Sequence, residues 1–380
     1  MTSKWPLYPV TSVGSWPRSP ELLKAMKRND SNLKELQDAA TLECIRCQED
    51  AGVDIVTDGE QRRDNFYSFI ADKLSGIKLM TMAELLDYVE DKAGFEELLA
   101  ALDVPAYAIK NPTIVDKIDT QSPLVLDDYR FLRENTKKPI KVTLPGPYIL
   151  CRSMWVKKLS EEAYPTRQNM ADDIVALLRC ELKALIAEGV DMVQFDEPVL
   201  TELVFTGKAA TRTFMCAALA ASASPEEELE FAVNLINQVT EGIIGTEIGL
   251  HICRGNWSQN EDVLLEGSYD KLIPHLSRMN VDQFVLEYAT PRAGSIEVLK
   301  DLPAAAKLGF GIVNPRTEEI ESPVAIAERV KRLSEILSPE RIFLNPDCGF
   351  GTFAERPVAT VETATNKLKT LVKAAKILRN

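Results

Sequence analysis

Short apolar runs alternate with amphipathic stretches along nearly the whole chain. Eight of the runs have the composition of strands: Tyr8–Val13, Ile55–Thr57, Ile140–Leu144, Met192–Phe195, Glu247–Ile252, Gln283–Leu286, Lys307–Val313 and Ile342–Leu344. Apolar residues recur at helical spacing in Pro20–Lys27, Leu33–Ala51, Met170–Glu188, Glu226–Glu241, Ser322–Leu337 and Val361–Leu378. Ser19 before Pro20 and Ser322 before Pro323 read as helix caps. Strands alternating with helices predict a parallel sheet with crossover helices, and eight strands predict an α/β fold closed into a (β/α)8 TIM barrel.

The alternation is interrupted chiefly between the second and third strands, by Phe69–Lys138. That stretch combines charged helix (Met82–Leu102) with a Pro-containing extended section (Val104–Asp119), and its length predicts a lid or an inserted subdomain. No repeat, low-complexity tract or linker divides the chain, so residues 1–380 read as one barrel domain carrying the insertion 69–138.

The polar motifs fall in one kind of place. Gly14-Ser15, Asp58-Gly59-Glu60, Pro145-Gly146-Pro147 and Asp196-Glu197-Pro198 follow the first four strands. His251 and Cys253 end the fifth, Glu287 ends the sixth, and Asn314-Pro315-Arg316 and Asp347-Cys348-Gly349 follow the last two. Barrel active sites are built at the C-terminal ends of the strands. All eight motifs would therefore converge on one mouth.

Composition narrows the chemistry. The chain has 380 residues, 45% of them hydrophobic, enough for a large core. A formal charge of −13 argues against a nucleic-acid surface, since phosphate binding needs clustered Lys and Arg. No apolar run approaches the length of a membrane span, and no leader is read at Met1-Thr2-Ser3-Lys4. Seven irregularly spaced cysteines do not suggest a disulfide framework, and a reducing cytoplasm is expected. Cys44 and Cys47 form a nominal CxxC, but inside a helical pattern; Cys180 and Cys216 read as core.

His251, Cys253 and Cys348 stand out. Residues two apart on a strand point the same way, so His251 and Cys253 can grip one ion together. Imidazole and thiolate suit zinc, and a third ligand from a distant strand suits a catalytic site better than a finger. The other histidine, His275, reads as an exposed loop residue. Arg254 and Arg316, in strand-top loops, would bind an anionic group or form ion pairs; Trp16 and Trp257 would line the mouth or pack in the core.

The sequence resembles the C-terminal catalytic barrel of cobalamin-independent methionine synthases. The resemblance runs from Val10-Thr11-Ser12-Val13-Gly14-Ser15 to Asn345-Pro346-Asp347-Cys348-Gly349, through Thr57-Asp58-Gly59-Glu60, Gln194-Phe195-Asp196-Glu197-Pro198 and His251-x-Cys253. It implies zinc ligands at His251, Cys253, Glu287 and Cys348, and a homocysteine site at Ser15, Glu60 and Asp196, the two acids also being the catalytic candidates. Glu287 could instead pair with Arg292, and Glu60 and Asp196 with Arg62 or Arg63.

The sequence also departs from that family. Gly146-Pro147-Tyr148-Ile149-Leu150-Cys151-Arg152 stands where the family places a folate-packing Trp, and Ile312-Val313-Asn314-Pro315-Arg316 lacks its acid histidine. The second, N-terminal barrel of long members has no counterpart here. Cys253-Arg254-Gly255-Asn256-Trp257 resembles short single-barrel relatives, which include core methionine synthases using a methylcorrinoid and epoxyalkane:coenzyme M transferases. The expectation is a cytoplasmic zinc-dependent thiol alkyltransferase methylating homocysteine, with a folate or methylcorrinoid as donor and a homo-oligomer left open. Its rivals are transfer of coenzyme M to an epoxide and a metal-independent enzyme of the uroporphyrinogen decarboxylase type.

Overall fold

A computed structural model describes residues 4–88, 92–93, 110–205, 224–256, 258–261 and 264–380. Trp257, Cys216 and much of the expected helix and extended section within the insertion lie outside these residues.

Six parallel strands run in sequence order: β3 (Lys141–Pro145), β4 (Met192–Asp196), β5 (Glu247–Ile252), β6 (Gln283–Glu287), β7 (Lys307–Val313) and β8 (Ile342–Pro346). β1 (Ile77–Thr81) and β2 (Lys110–Ile114) form a separate antiparallel pair, with Thr81 opposite Lys110. β3, β4, β6 and β8 are buried at every position, as strands covered by helices outside and filled by side chains inside must be.

The ring closes through the two segments that precede β3. Val10 bridges Leu344 of β8, Thr11 bridges Ile55, and Val56 bridges Ile140, all parallel. These segments are single bridges and not the extended strands expected from sequence. Tyr8 has a positive φ of 50°, and Pro9 has no N–H to donate. The Val10 N–H goes to Asp54 Oδ2 at 2.8 Å and the Thr57 N–H to Gln48 Oε1 at 3.0 Å. Side chains thus take the donors a ladder would have used.

The helices match their sequence patterns closely, including Pro20–Arg28, Leu33–Ala51, Arg167–Ala187, Pro225–Thr240, Pro323–Leu333 and Val361–Arg379. Ser19 caps the first, accepting from Leu22 N, and Ser322 caps Pro323–Leu333, accepting from Ala325 N. Val361–Arg379 packs on Leu33–Ala51, joining the end of the barrel to its beginning. Within the insertion, the β1–β2 pair is tied to the mouth by Asn111, which accepts from the Tyr67 hydroxyl and donates to Ser153 O. Leu126–Asn135 then leads into β3 as a crossover helix.

Two expectations fail. His275 is buried in the short helix Ile273–Leu276, between Glu226 and Glu230. Cys180 is only half-buried, with Sγ facing Gln121 Oε1 at 3.7 Å. It flanks the buried stripe Leu177, Leu178, Glu181, Leu182 and Leu185 of its helix instead of lying within it. Cys44 and Cys47 lie inside Leu33–Ala51, and every described cysteine is free. Among the described residues, no helix is long and apolar enough to cross a membrane.

Candidate metal centre

Asp196 and His251 are register partners at the ends of β4 and β5. In parallel strands such partners share a face, and both side chains turn into the mouth of the barrel. His251 Nδ1 lies 2.9 Å from Asp196 Oδ1, which leaves Nε2 with only a long 3.4 Å approach to Asp347 O. Cys253 follows β5 on the same face as His251, and Cys348 arrives from the loop after β8. Donor atoms of His251, Cys253 and Cys348 lie within 4.8 Å of one another. One nitrogen and two sulfurs from three separate places, with room left for a further ligand, fit a soft or borderline divalent metal.

The protonation pattern is that of a preformed ligand set. A hydrogen bond from Cys348 holds the Cys253 thiol below its ordinary range against burial, and the same bond, with burial, pushes Cys348 well up. The bond thus favours deprotonation at Cys253 over Cys348. Burial depresses the His251 imidazole, but Asp196 and the negative charges of Cys253 and Glu287 outweigh it and raise it to about 9. Metal binding would displace these protons.

Ser15, Glu60 and Asp196 line the same cavity as His251, Cys253 and Cys348, together with Val13, Phe66, Pro198, Asn256, Thr352 and Phe353. Glu60 sits at a positive φ of 55° after Gly59, a strained conformation that aims its side chain inward. Gly14 makes room for it: a Cβ there would stand 2.4 Å from Glu60 Oε1. Thr143 Oγ1 donates to that oxygen at 2.9 Å, whereas the buried Oε2 has no partner. Burial, with Asp196 and Asp58 nearby, raises the Glu60 pKa despite Arg63.

Ser15 anchors the loop that carries Cys348. Its carbonyl accepts from Phe350 N at 2.8 Å and its Oγ from Thr352 N at 3.0 Å, leaving its own hydroxyl proton free to donate. The approach is so close that a Cβ on Gly349 would meet Ser15 Oγ at 2.1 Å.

The remaining candidates are placed differently. Glu287, at the end of β6, accepts from Asn256 and faces Arg292 at 3.4 Å and Arg254 at 3.7 Å. Arg254 is fully buried, donates to the carbonyls of Gly267, Glu287 and Ala293, and stacks on Tyr269. Arg316 is held by Asn256 and Glu261 and reaches the cavity only through Asn256. Arg62 pairs with Asp38 and Asp128, and Arg63 with Asp58. Trp16 packs edge-on against Phe350 in the core. Glu197 accepts from Tyr148 N and Ile149 N, capping Pro147–Met154.

Sequence reasoning gave no role to Asn256, Thr352, Gln194 or Lys141. Asn256 bridges Glu287 and Arg316, and its place three residues after Cys253 was the available signal. Gln194 and Lys141 lie below the cavity on β4 and β3, where inward polar residues two and four positions before a motif were the only hint.

Residues 8–377 match the family described as cobalamin-independent synthase, catalytic domain. A methionine synthase from Sulfurisphaera tokodaii is 26% identical over 381 residues, covering 98% of this chain and 93% of that protein. One from Pyrococcus abyssi is 29% identical over 381 residues, covering 98% and 94%. The fold is shared with a solved B12-independent methionine synthase from Shewanella sp. W3-18-1 in complex with selenomethionine, at a TM-score of 0.74 and 23% identity, over 98% of both chains.

Proposed function

The chain belongs to the cobalamin-independent synthase catalytic-domain family and is a methyltransferase of the methionine synthase kind, and from this we propose that it methylates the sulfur of homocysteine at a zinc ion. His251, Cys253 and Cys348 would hold the ion, with Glu287, held nearby by Asn256, Arg254 and Arg292, as the candidate fourth ligand. One observation carries the reading: a His, Cys and Cys set faces an unpartnered buried carboxylate oxygen across a single cavity. Zinc bound there would lower the pKa of a coordinated thiol, supplying the thiolate that attacks the methyl donor.

The residues do the rest. Glu60 and Asp196 hold the substrate ammonium, offering two negative charges from two sides. Ser15 donates its hydroxyl proton to the substrate carboxylate. Val13, Phe66, Pro198 and Phe353 keep water from the thiolate, which raises its nucleophilicity. A sulfonate thiol such as coenzyme M would need arginines, and Arg254 and Arg316 are committed elsewhere. The acidic wall therefore favours an amino acid. The free cysteines suit the cytoplasm, and the match over 8–377 supports one catalytic unit carrying the insertion 69–138.

The test supplies purified protein, its metal content measured, with homocysteine and either methyltetrahydrofolate or methylcobalamin, and follows methionine by mass spectrometry. Methionine from either donor, dependent on near-stoichiometric zinc, is expected. Turnover of coenzyme M but not homocysteine, or full activity without metal, would overturn the reading.

A further inference from the structure

Below the cavity, a line of side chains climbs the inner wall of the barrel. Lys141, at the start of β3, is buried to 1% exposure, and its Nζ reaches Ser12 O and, at 3.0 Å, Gln194 Oε1. Gln194 Nε2 reaches Val13 O at 3.2 Å and Asp196 Oδ1 at 2.9 Å. Asp196 Oδ1 in turn meets His251 Nδ1 at 2.9 Å.

The polarity of this line is forced. Val13 O and the Asp196 carboxylate accept only, and Ser12 O accepts from Lys141 Nζ. Gln194 must then turn its oxygen to Lys141 and its NH₂ to Val13 O and the Asp196 carboxylate. Two of that amide's partners accept only, and together they set its orientation. Asp196, accepting a hydrogen bond from Gln194, presents an acceptor to His251, and His251 must carry a proton on Nδ1. Once metal binding displaces the second proton, the lone pair is left on Nε2, beside Cys253 and Cys348.

We propose that Lys141 is a positioning residue for the metal site: it locks the Gln194 amide, and through Gln194 and Asp196 it fixes the tautomer and ring orientation of His251. Without the lysine the Gln194 oxygen loses its donor, and only Val13 O and Asp196 are left to hold the amide in place. Partners of metal-bound histidines are worth about 10–100-fold in metal affinity, and a group acting two bonds further back belongs at the low end. The buried ammonium is also held down to a pKa of about 7 by desolvation, opposed by Asp196 and Glu60. The neutral amine can keep the contact, because Val13 O and Asp196 already turn the Gln194 oxygen toward it.

The inference rests on His251 being a metal ligand, so His251→Ala is measured first. If that variant binds cobalt(II) as the wild type does, the metal reading itself has failed. With it upheld, cobalt(II) affinity is measured by chelator competition for Lys141→Met, Gln194→Met and the double variant. Each single change should weaken binding about tenfold, and the double variant should be no weaker than Gln194→Met alone. At saturating cobalt the visible d–d bands of both single variants should shift together, a change that loss of core packing alone would not produce. Gln194→Glu keeps the shape and the Lys141 contact but cannot donate to Asp196; it should also lose about tenfold and covers a Lys141→Met that does not fold. Affinities within twofold of wild type, or Lys141 and Gln194 effects that simply multiply, would overturn the proposal.

Discussion

Asp196 Oδ1 stands 2.9 Å from His251 Nδ1, and the two residues are register partners on neighbouring strands. One carboxylate thereby belongs to both halves of the proposed site, supporting a candidate metal ligand while lining the cavity. Asp196→Asn should therefore fail twice. Metal affinity should fall roughly 10–100-fold, and KM for homocysteine should rise as well. Chelator competition and steady-state kinetics measure the two losses separately; normal metal affinity in the variant would show that Asp196 serves the substrate alone.

Cys348 is the proposed ligand that arrives from elsewhere in the chain, and it is only half-buried. It also stabilises the Cys253 thiolate by hydrogen bonding. Cys348→Ser should lose most of its zinc and all measurable methyl transfer, with little change in thermal midpoint after metal removal. Elemental analysis of freshly purified protein decides the point, and a full complement of zinc would exclude Cys348 from the ligand set.

Glu60 must be ionised to hold an ammonium group, yet burial and the neighbouring acids lift its pKa above the usual carboxylate range. Substrate binding should thus be strong above that raised pKa and fade as pH drops through it. KM for homocysteine should climb at a pH where an ordinary glutamate would still be charged. Glu60→Gln should raise KM about 10–100-fold at neutral pH, the worth of a charged hydrogen bond, and flatten this limb of the profile. An unchanged pH profile would assign the limb to another group.

The candidate metal cluster of His251, Cys253 and Cys348 was easy to see because few residue types bind zinc and a strand places i and i+2 together. Strands β3 to β8 were legible because burial on both faces leaves continuous apolar runs. The first two barrel segments were less so, since Asp54 and Gln48 side chains replace ladder hydrogen bonds, and no periodicity records that. His275 looked like a loop residue because a four-residue helix is too short to show a period. Arg254 illustrates a different blindness: its position predicted a ligand-facing cation, but its destination is three carbonyls that only the folded loops bring together.

Glu287 can be a metal ligand, a structural anion, or both. Its carboxylate is almost fully buried against Arg254 and Arg292, and removing one partner of such a pair costs about 3–5 kcal/mol. Glu287→Ala should lower the stability of the metal-free protein by roughly that amount, read from denaturant midpoints. As a ligand it should also weaken zinc binding by at least tenfold in Glu287→Gln, which keeps the volume and part of the hydrogen bonding. Lost stability with normal zinc affinity would leave it a purely structural residue.

Lys141 offers a pH test that needs no substrate. Its folded pKa is held near 7, against 10.5 for an exposed lysine, chiefly because burial disfavours the charge. Between those values the unfolded chain keeps a proton that the folded protein has released. Unfolding free energy then rises with pH, by up to about 1.4 kcal/mol per unit for one such group. Below pH 7 both states hold the proton, and the full cost of burying it is constant. Buried cysteines such as Cys44 and Cys151, whose pKa values burial raises, act in the opposite sense at alkaline pH, so the wild-type curve alone is ambiguous. The difference between wild type and Lys141→Met removes them. That difference should be flat below pH 7 and move in favour of wild type as pH rises to about 9, measured by urea denaturation of the metal-free proteins. A difference that stays level from pH 7 to 9 would mean that Lys141 keeps its proton inside the barrel, with Asp196 and Glu60 compensating its burial.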